Sequence, residues 1–289
     1  MSYRGFYITL DQSIERRNHV EKQLSACNLE SRYTRFPACV GNALNLKAPN
    51  LKPGQIGCFS SHYLLLKSQV DSPEHLHITE DDVVFSPVIA TILDSLLAKG
   101  ALVDYDLLYT EVSIPIDRPH IRDLALRFHK NIILNEDGTI KSVKNFSVLP
   151  LKDRIFSGTV SYMVNKNSIA KVASILEEAA HTEITMPIDL YFRENIRAGR
   201  IKAGCLFPFV TTVDLKLNKS STVELSPRKN LETSIFASAL LRNLFYVHSK
   251  PAELLAACQS VLGQAPMNDR DKVLAGICCF GLSANYEQF

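Results

Sequence analysis

Short apolar runs alternate along the chain with stripes of helical period, the trace that a sheet wrapped by helices leaves in a sequence. Gly5-Phe6-Tyr7-Ile8-Thr9-Leu10 is a compact aromatic and β-branched run and predicts a buried first strand. Behind it, Asp11 or Ser13 can cap a helix from about Ile14, with Glu15 in the first turn and Val20, Leu24 and Cys27 as the packed stripe. Tyr33-Thr34-Arg35-Phe36 predicts a second strand ending at Pro37, and a polar loop runs from Gly41 to Lys52. Pro53 then suits the first turn of a helix whose stripe is Ile56, Phe59, Tyr63, Leu66 and Val70. Gly57 inside that helix costs about 1 kcal/mol relative to alanine, which is understandable if something approaches the backbone closely there. His62 borders the same stripe, where a histidine is more often a satisfied core residue than a ligand.

The chain's organising feature follows. Leu76-His77-Ile78-Thr79 reads as a strand that stops on Glu80-Asp81-Asp82 before Val83-Val84-Phe85. In extended backbone, residues 80 and 82 project to one face and 81 to the other, so two carboxylates aim at one spot. Like charges that close raise each other's pKa unless a cation lies between them, and a hard ion such as Mg²⁺ or Mn²⁺ suits carboxylates when substrate phosphates complete its shell. A solvated acidic turn is the plainer alternative.

Further along, Ser86-Pro87 opens a helix with Val88, Ile92 and Leu96 on one face, and Asp106-Leu107-Leu108-Tyr109-Thr110 predicts a strand with Glu111 at its end. From Ile114 to Leu151 the pattern is irregular, with Asp137-Gly138 between Ile132-Ile133-Leu134 and Ile140 suggesting a hairpin, and a loop of that length suits substrate contacts. Phe156 to Val164 holds a strand, and Asn167 or Ser168 caps a helix with Ile169, Val172, Ala173, Leu176 and Ala180 inward. Pro187-Ile188-Asp189 opens a mixed segment. Asp214 to Asn230 is polar, and beyond it Ala237, Leu240, Leu241, Leu244 and Phe245 share a helical face, with shorter candidates at Ala252 to Leu262 and Lys272 to Phe280.

Composition narrows the class. The 289 residues are 46% apolar, enough for a sizeable core, and 32 basic against 30 acidic residues leave a net charge of +2, too little to hold nucleic acid. Seven cysteines without CxxC spacing read as thiols in a reducing compartment. No stretch reaches the ~18 apolar residues of a membrane span, and Arg4 precedes a strand instead of a signal peptide. The expected location is cytoplasmic, with peripheral contact on the inner face of the membrane as an option.

Four ordered motifs carry a family resemblance: Ile8-Thr9-Leu10-Asp11-Gln12-Ser13-Ile14-Glu15-Arg16-Arg17, Phe36-Pro37-Ala38-Cys39-Val40-Gly41, Pro53-Gly54-Gln55-Ile56-Gly57-Cys58-Phe59-Ser60-Ser61-His62 and Ile78-Thr79-Glu80-Asp81-Asp82. Together they resemble glycosyltransferase family 25, which includes lipooligosaccharide and collagen galactosyltransferases. A weaker echo continues through Gly158 to Val164, Pro187-Ile188-Asp189 and Leu206-Phe207-Pro208. The chain departs from the family pattern at Thr9, Gln12, Val40, Gln55, Ser60 and Thr79.

The resemblance implies an α/β, GT-A-like, Rossmann-type mixed sheet flanked by helices, here over residues 1–220; beyond it, where the resemblance fades, the apolar spacing predicts a helical C-terminal appendix over 221–289. The appendix packs on the domain, pairs two chains as a homo-oligomer, or rests on a membrane. The resemblance further implies a hexose, most often galactose, moved with inversion from a UDP-sugar donor to a saccharide or glycolipid acceptor such as lipooligosaccharide, with Mn²⁺ or Mg²⁺ bound. On that reading Asp82 and Glu80 hold the metal, and the donor lies against Thr9, Leu10, Arg16, Arg17, Gly57, His62, Glu80 and Asp81. Asp189 is the first candidate for the base that takes the acceptor proton, and Glu111 the second. A non-catalytic saccharide-binding protein and a metal-dependent phosphoesterase are the rivals. The phosphoesterase would need more clustered ligands than His75 and His77 supply.

Overall fold

The computed structural model describes residues 2–115, 118–136, 139–217, 238–250 and 253–254. Elements follow in chain order as β1 (Tyr3–Thr9), α1 (Ile14–Ala26), β2 (Tyr33–Pro37), α2 (Pro53–Ser68), β3 (His75–Glu80), β4 (Val83–Phe85), α3 (Ile89–Ala98) and β5 (Leu107–Tyr109). Then come α4 (Arg118–Asn131), β6 (Ile132–Leu134), β7 (Ile140–Val143), β8 (Ser147–Pro150), β9 (Ser161–Val164), α5 (Ile169–His181), α6 (Ile188–Arg197), β10 (Ala203–Phe207) and β11 (Thr211–Val213).

Seven strands form one mixed sheet in the order β2-β1-β3-β9-β5-β10-β8. The β1–β2, β1–β3 and β5–β10 pairs are parallel, whereas β9 runs antiparallel to both β3 and β5, and β8 to β10. Both faces are buried, which is why the strands read as continuous apolar runs. Phe6, Ile8, Leu76, Ile78, Tyr109 and Tyr162 point into one cluster with α2, α5 and α6, while Tyr3, Tyr7, Leu108 and Met163 point into another with α1 and α3. A mixed sheet between helices is the α/β architecture expected, consistent with a GT-A-like fold. The carboxyl ends of β1, β3 and β5 lie at one edge, where an open α/β sheet binds its ligands.

Several expectations shift. The acidic run is not one extended strand: β3 ends at Glu80, Asp81 and Asp82 form a turn, and β4 starts at Val83. In α3 the buried residues are Ile89, Leu93 and Leu97, one position after the expected stripe, because the helix begins after Val88 and leaves that side chain exposed. The stretch expected to be irregular contains α4, which buries Ile121, Leu124 and Phe128. The hairpin after it is present as β6–β7, with its tip at Asp137-Gly138 outside the described residues. Pro187-Ile188-Asp189 opens a regular helix, α6. Of the C-terminal segment, 238–244 is helical, and Leu240, Leu241, Leu244 and Phe245 join the main core cluster; of the candidate from Ala252 to Leu262 only Glu253 and Leu254 are described, both helical with Leu254 in the same cluster, and Ala237 and the candidate from Lys272 to Phe280 lie outside the described residues.

Candidate functional site

A cleft of about 260 Å³ opens at the carboxyl edge of the sheet. Its walls are the end of β1 with Thr9 and Leu10, the loop from Ala38 to Gly41, the first turns of α2 with Gly57, Cys58 and His62, and the end of β3 with Glu80 and Asp81. Gly57 answers the question its position raised. A Cβ there would sit 2.6 Å from the Cys39 carbonyl oxygen, so the close approach is the chain's own loop, which folds over α2 to form the cleft wall. Ser61 secures the same loop by accepting the Cys39 N–H at 2.8 Å.

The three acidic residues have separate surroundings. Asp81 is held on both oxygens: the Thr9 hydroxyl donates to Oδ2 at 2.7 Å and Arg16 Nη1 to Oδ1 at 2.6 Å. Arg16 also donates to the Leu217 carbonyl, so it anchors the acidic turn to the chain beyond β11. Arg17 donates to the Asp11 carbonyl and, like Arg16, is not among the cleft-lining residues. Glu80 accepts the Thr159 hydroxyl at 2.7 Å and lies 3.5 Å from Nε2 of the buried His62. Burial alone would raise the Glu80 carboxyl, but His62, Thr159 and the charge of Arg242 together hold it below its ordinary value.

Asp82 is the odd one out. It is 7% exposed, and its Oδ1 has no hydrogen-bond partner among the described residues. Burial and the nearby Glu80 charge push its carboxyl up to about 6, with Arg16 and Arg242 offsetting part of the rise. Across the turn the charge of Glu80 is felt at Asp82, although Glu80 lines the cleft and Asp82 does not. A buried carboxylate oxygen without a donor, beside a second carboxylate, is the environment a hard cation relieves, so the residues present fit such an ion.

Glu111 has no exposed surface. Its Oε2 accepts Arg242 Nη1 at 3.2 Å and its Oε1 has no partner among the described residues. Burial, with the charges of Asp82 and Glu80, raises it to about 7 despite Arg242. Asp189, half-buried in the first turn of α6, accepts the Gly158 N–H at 3.2 Å. Burial pushes its carboxyl up and Glu80 adds to the shift, while the backbone N–H groups of Gly158 and Leu190 counter it. Gly158 has φ +98°, a conformation glycine adopts without strain.

Arg242 is the site residue that sequence reasoning missed. It is 6% exposed, and its charge reaches Glu80, Asp82 and Glu111. Its segment is stapled to the sheet by Phe209 N–H to the Phe245 carbonyl at 2.9 Å and by Asn243 Nδ2 to the Val213 carbonyl at 3.0 Å. The only signal in the sequence was a lone arginine inside an apolar helical run.

A model of glycosyltransferase family 25, described as an LPS biosynthesis protein, matches residues 4–192. The chain belongs to glycosyltransferase family 25. No curated protein matches it. Within this family 25 chain, two departing residues besides Thr9 have structural work. Gln55 Oε1 accepts the Lys52 N–H at 3.0 Å and so caps α2, and Thr79 is fully buried between strands with its hydroxyl donating to the Phe6 carbonyl. Neither lines the cleft. Among the described residues no helix is long and apolar enough to cross a membrane.

Proposed function

We propose that this family 25 glycosyltransferase moves a hexose, in the first instance galactose, from a UDP-sugar to a saccharide acceptor such as lipooligosaccharide, with inversion and with Mn²⁺ or Mg²⁺ held by Asp82 and Glu80. The observation that carries the reading is the buried Oδ1 of Asp82, without a hydrogen-bond partner among the described residues and within reach of the charge of Glu80, which itself lines the cleft. When bound, the ion supplies positive charge against the negative charge that grows on the departing diphosphate. Thr9 and Arg16 fix Asp81 and with it the turn that presents Asp82. Thr159 and His62 fix Glu80. Asp189 takes the proton of the acceptor hydroxyl as that oxygen bonds to the anomeric carbon and the bond from that carbon to the diphosphate oxygen breaks. Asp189 is preferred over Glu111 because it is only half-buried, whereas Glu111 is enclosed with Arg242.

The thiols of Cys27, Cys39, Cys58 and Cys205, which have no disulfide partner among the described residues, agree with the reducing, cytoplasmic setting proposed here, where a glycolipid acceptor would be met at the inner membrane face. Pairing of two chains through the C-terminal segment is part of the same proposal.

The test is a screen of UDP-sugars with Mn²⁺ by thermal shift, followed by UDP release with saccharide acceptors. A donor at about 100 times its dissociation constant adds about 2.7 kcal/mol to stability, an easily read shift. UDP-galactose is expected to give that shift only with metal, and Asp82→Ala to abolish it while remaining folded. Full donor binding in excess chelator, or in Asp82→Ala, would overturn the metal assignment, and binding without UDP release on any acceptor would favour a non-catalytic role.

A further inference from the structure

Cys58 and His62 stand four residues apart on α2, the spacing that puts two side chains on one face of a helix, and both line the cleft beside the end of β3. Among the described residues, Cys58, His62 and Glu80 each offer a ligand atom, and these atoms lie within 4.8 Å of one another. The imidazole is fully buried and already oriented. Its Nδ1 is 2.8 Å from the Tyr162 hydroxyl, and its ring stacks on Tyr162 at 5.7 Å between centroids. Its Nε2 faces Glu80 Oε1 at 3.5 Å and has no hydrogen-bond partner among the described residues. That nitrogen is thus aimed at the carboxylate it helps to hold below its ordinary value, at the separation an ion shared between the two would need.

These donors differ in kind from the all-oxygen pair at Asp82 and Glu80. Thiolate and imidazole favour a borderline-soft ion, and zinc binds both along with carboxylate. Zinc–ligand bonds of about 2.0 to 2.3 Å in a tetrahedron place ligand atoms roughly 3.3 to 3.8 Å apart. The His62–Glu80 separation of 3.5 Å is already of that size, and the widest separation in the trio needs at most about 1.5 Å of side-chain closure. Tyr162 stands where the outer hydrogen bond of a metal-bound histidine belongs.

We propose that Cys58, His62 and Glu80 form a three-ligand zinc site whose fourth position opens to the cleft, and that zinc bound there competes with the nucleotide-sugar donor by occupying Glu80. Binding exchanges the Cys58 thiol proton, released to solvent, for a sulfur–zinc bond. The competition rests on the donor reading above; the zinc site does not.

The experiment uses the full chain, reduced with a phosphine, and Co²⁺ as a spectroscopic stand-in for zinc. Wild type is expected to develop a thiolate-to-cobalt charge-transfer band that one equivalent of Zn²⁺ bleaches. Cys58→Ser should lose the band, and Tyr162→Phe should weaken Zn²⁺ binding by about tenfold, the scale of an outer-shell loss. A measurement on wild type alone guards against misfolded variants: Zn²⁺ should slow alkylation of Cys58, located by peptide mass mapping. A band that persists in Cys58→Ser, or Cys58 alkylation unchanged by Zn²⁺, would overturn the site. In the donor arm, Zn²⁺ should displace UDP-galactose from wild type, and at least about ten times more should be needed in Cys58→Ser, scaled to that variant's own donor affinity. Donor binding indifferent to saturating Zn²⁺ would overturn the competition alone. If wild type bound no UDP-sugar, the proposed function would fail while the cobalt result still decided the zinc site.

Discussion

Arg242 reaches Glu111 across 131 positions of the chain, with Nη1 3.2 Å from Oε2 and both side chains almost wholly out of solvent. The pair joins the C-terminal segment to the end of β5, so a residue beyond the region that matches the family model reaches one inside it. Breaking a buried pair by removing one partner is costly because the other charge stays behind, typically about 3–5 kcal/mol. Arg242→Met should therefore lose stability on that scale above pH 7, where Glu111 is ionised, and lose less in acid, where Glu111 can take up a proton. Adding Glu111→Gln to Arg242→Met should recover most of the loss. Urea unfolding of the two variants decides it, and a double variant no more stable than the single would show that packing, not charge, holds the segment.

Glu111 itself makes a pH prediction. Its carboxyl, ordinarily near 4.5, stands at about 7 in the folded chain. A carboxyl raised on folding binds its proton more tightly in the native state, so its stabilising contribution is complete below 4.5 and is lost as pH rises through about 7. Relative to Glu111→Gln, the metal-free protein should lose on the order of 3 kcal/mol across that window and change little outside it. Denaturant midpoints of both proteins at a series of pH values give the difference directly. A constant difference would mean that the carboxyl is not raised.

Gly57→Ala tests the wall of the cleft. Alanine is the better helix former by about 1 kcal/mol, but its Cβ would lie 2.6 Å from the Cys39 carbonyl, which belongs to backbone and cannot swing away. Crowding of that kind typically costs about 1–3 kcal/mol. The variant should melt lower than wild type and bind UDP-galactose more weakly, since the displaced loop lines the cleft. A melting temperature equal to or above wild type would show that the loop yields.

What the sequence revealed and what it hid have physical causes. β1, α2 and the stop at Glu80 were legible because burial on both faces of the sheet leaves unbroken apolar runs, and a carboxylate triplet ending such a run stands out. The phase of α3 was misjudged by one residue because Ser86-Pro87 suggests a helix start, whereas the helix begins only after Val88. The stripe of α4 was present at Ile121, Leu124 and Phe128 but was diluted by basic residues, so the segment resembled a loop. Arg242 could not be read at all: its meaning is a contact 131 positions away, and a single arginine in a helical run otherwise implies a solvated face.

The last prediction concerns proton removal. Asp189 lies in the first turn of α6 and is oriented by the Gly158 N–H at 3.2 Å, and burial, with the Glu80 charge adding, raises its carboxyl above the ordinary carboxylate value, which makes it a stronger base. Asp189→Asn keeps the size of the side chain and an oxygen that can still accept the Gly158 N–H, so it removes basicity with little change in packing. It should leave the donor dissociation constant near that of wild type and lower kcat for transfer by about 10²-fold or more, the range for losing a general base. Donor affinity by titration and UDP release with an accepted saccharide separate the two effects. If instead Asp189→Asn transferred normally and Glu111→Gln collapsed, the base would be Glu111, and the segment carrying Arg242 would have to move aside in every turnover to expose a carboxylate that is fully enclosed at rest. Loss of donor binding in Asp189→Asn would make the residue part of the donor site, because a base that acts only on the acceptor has no reason to change the affinity of the enzyme for the donor.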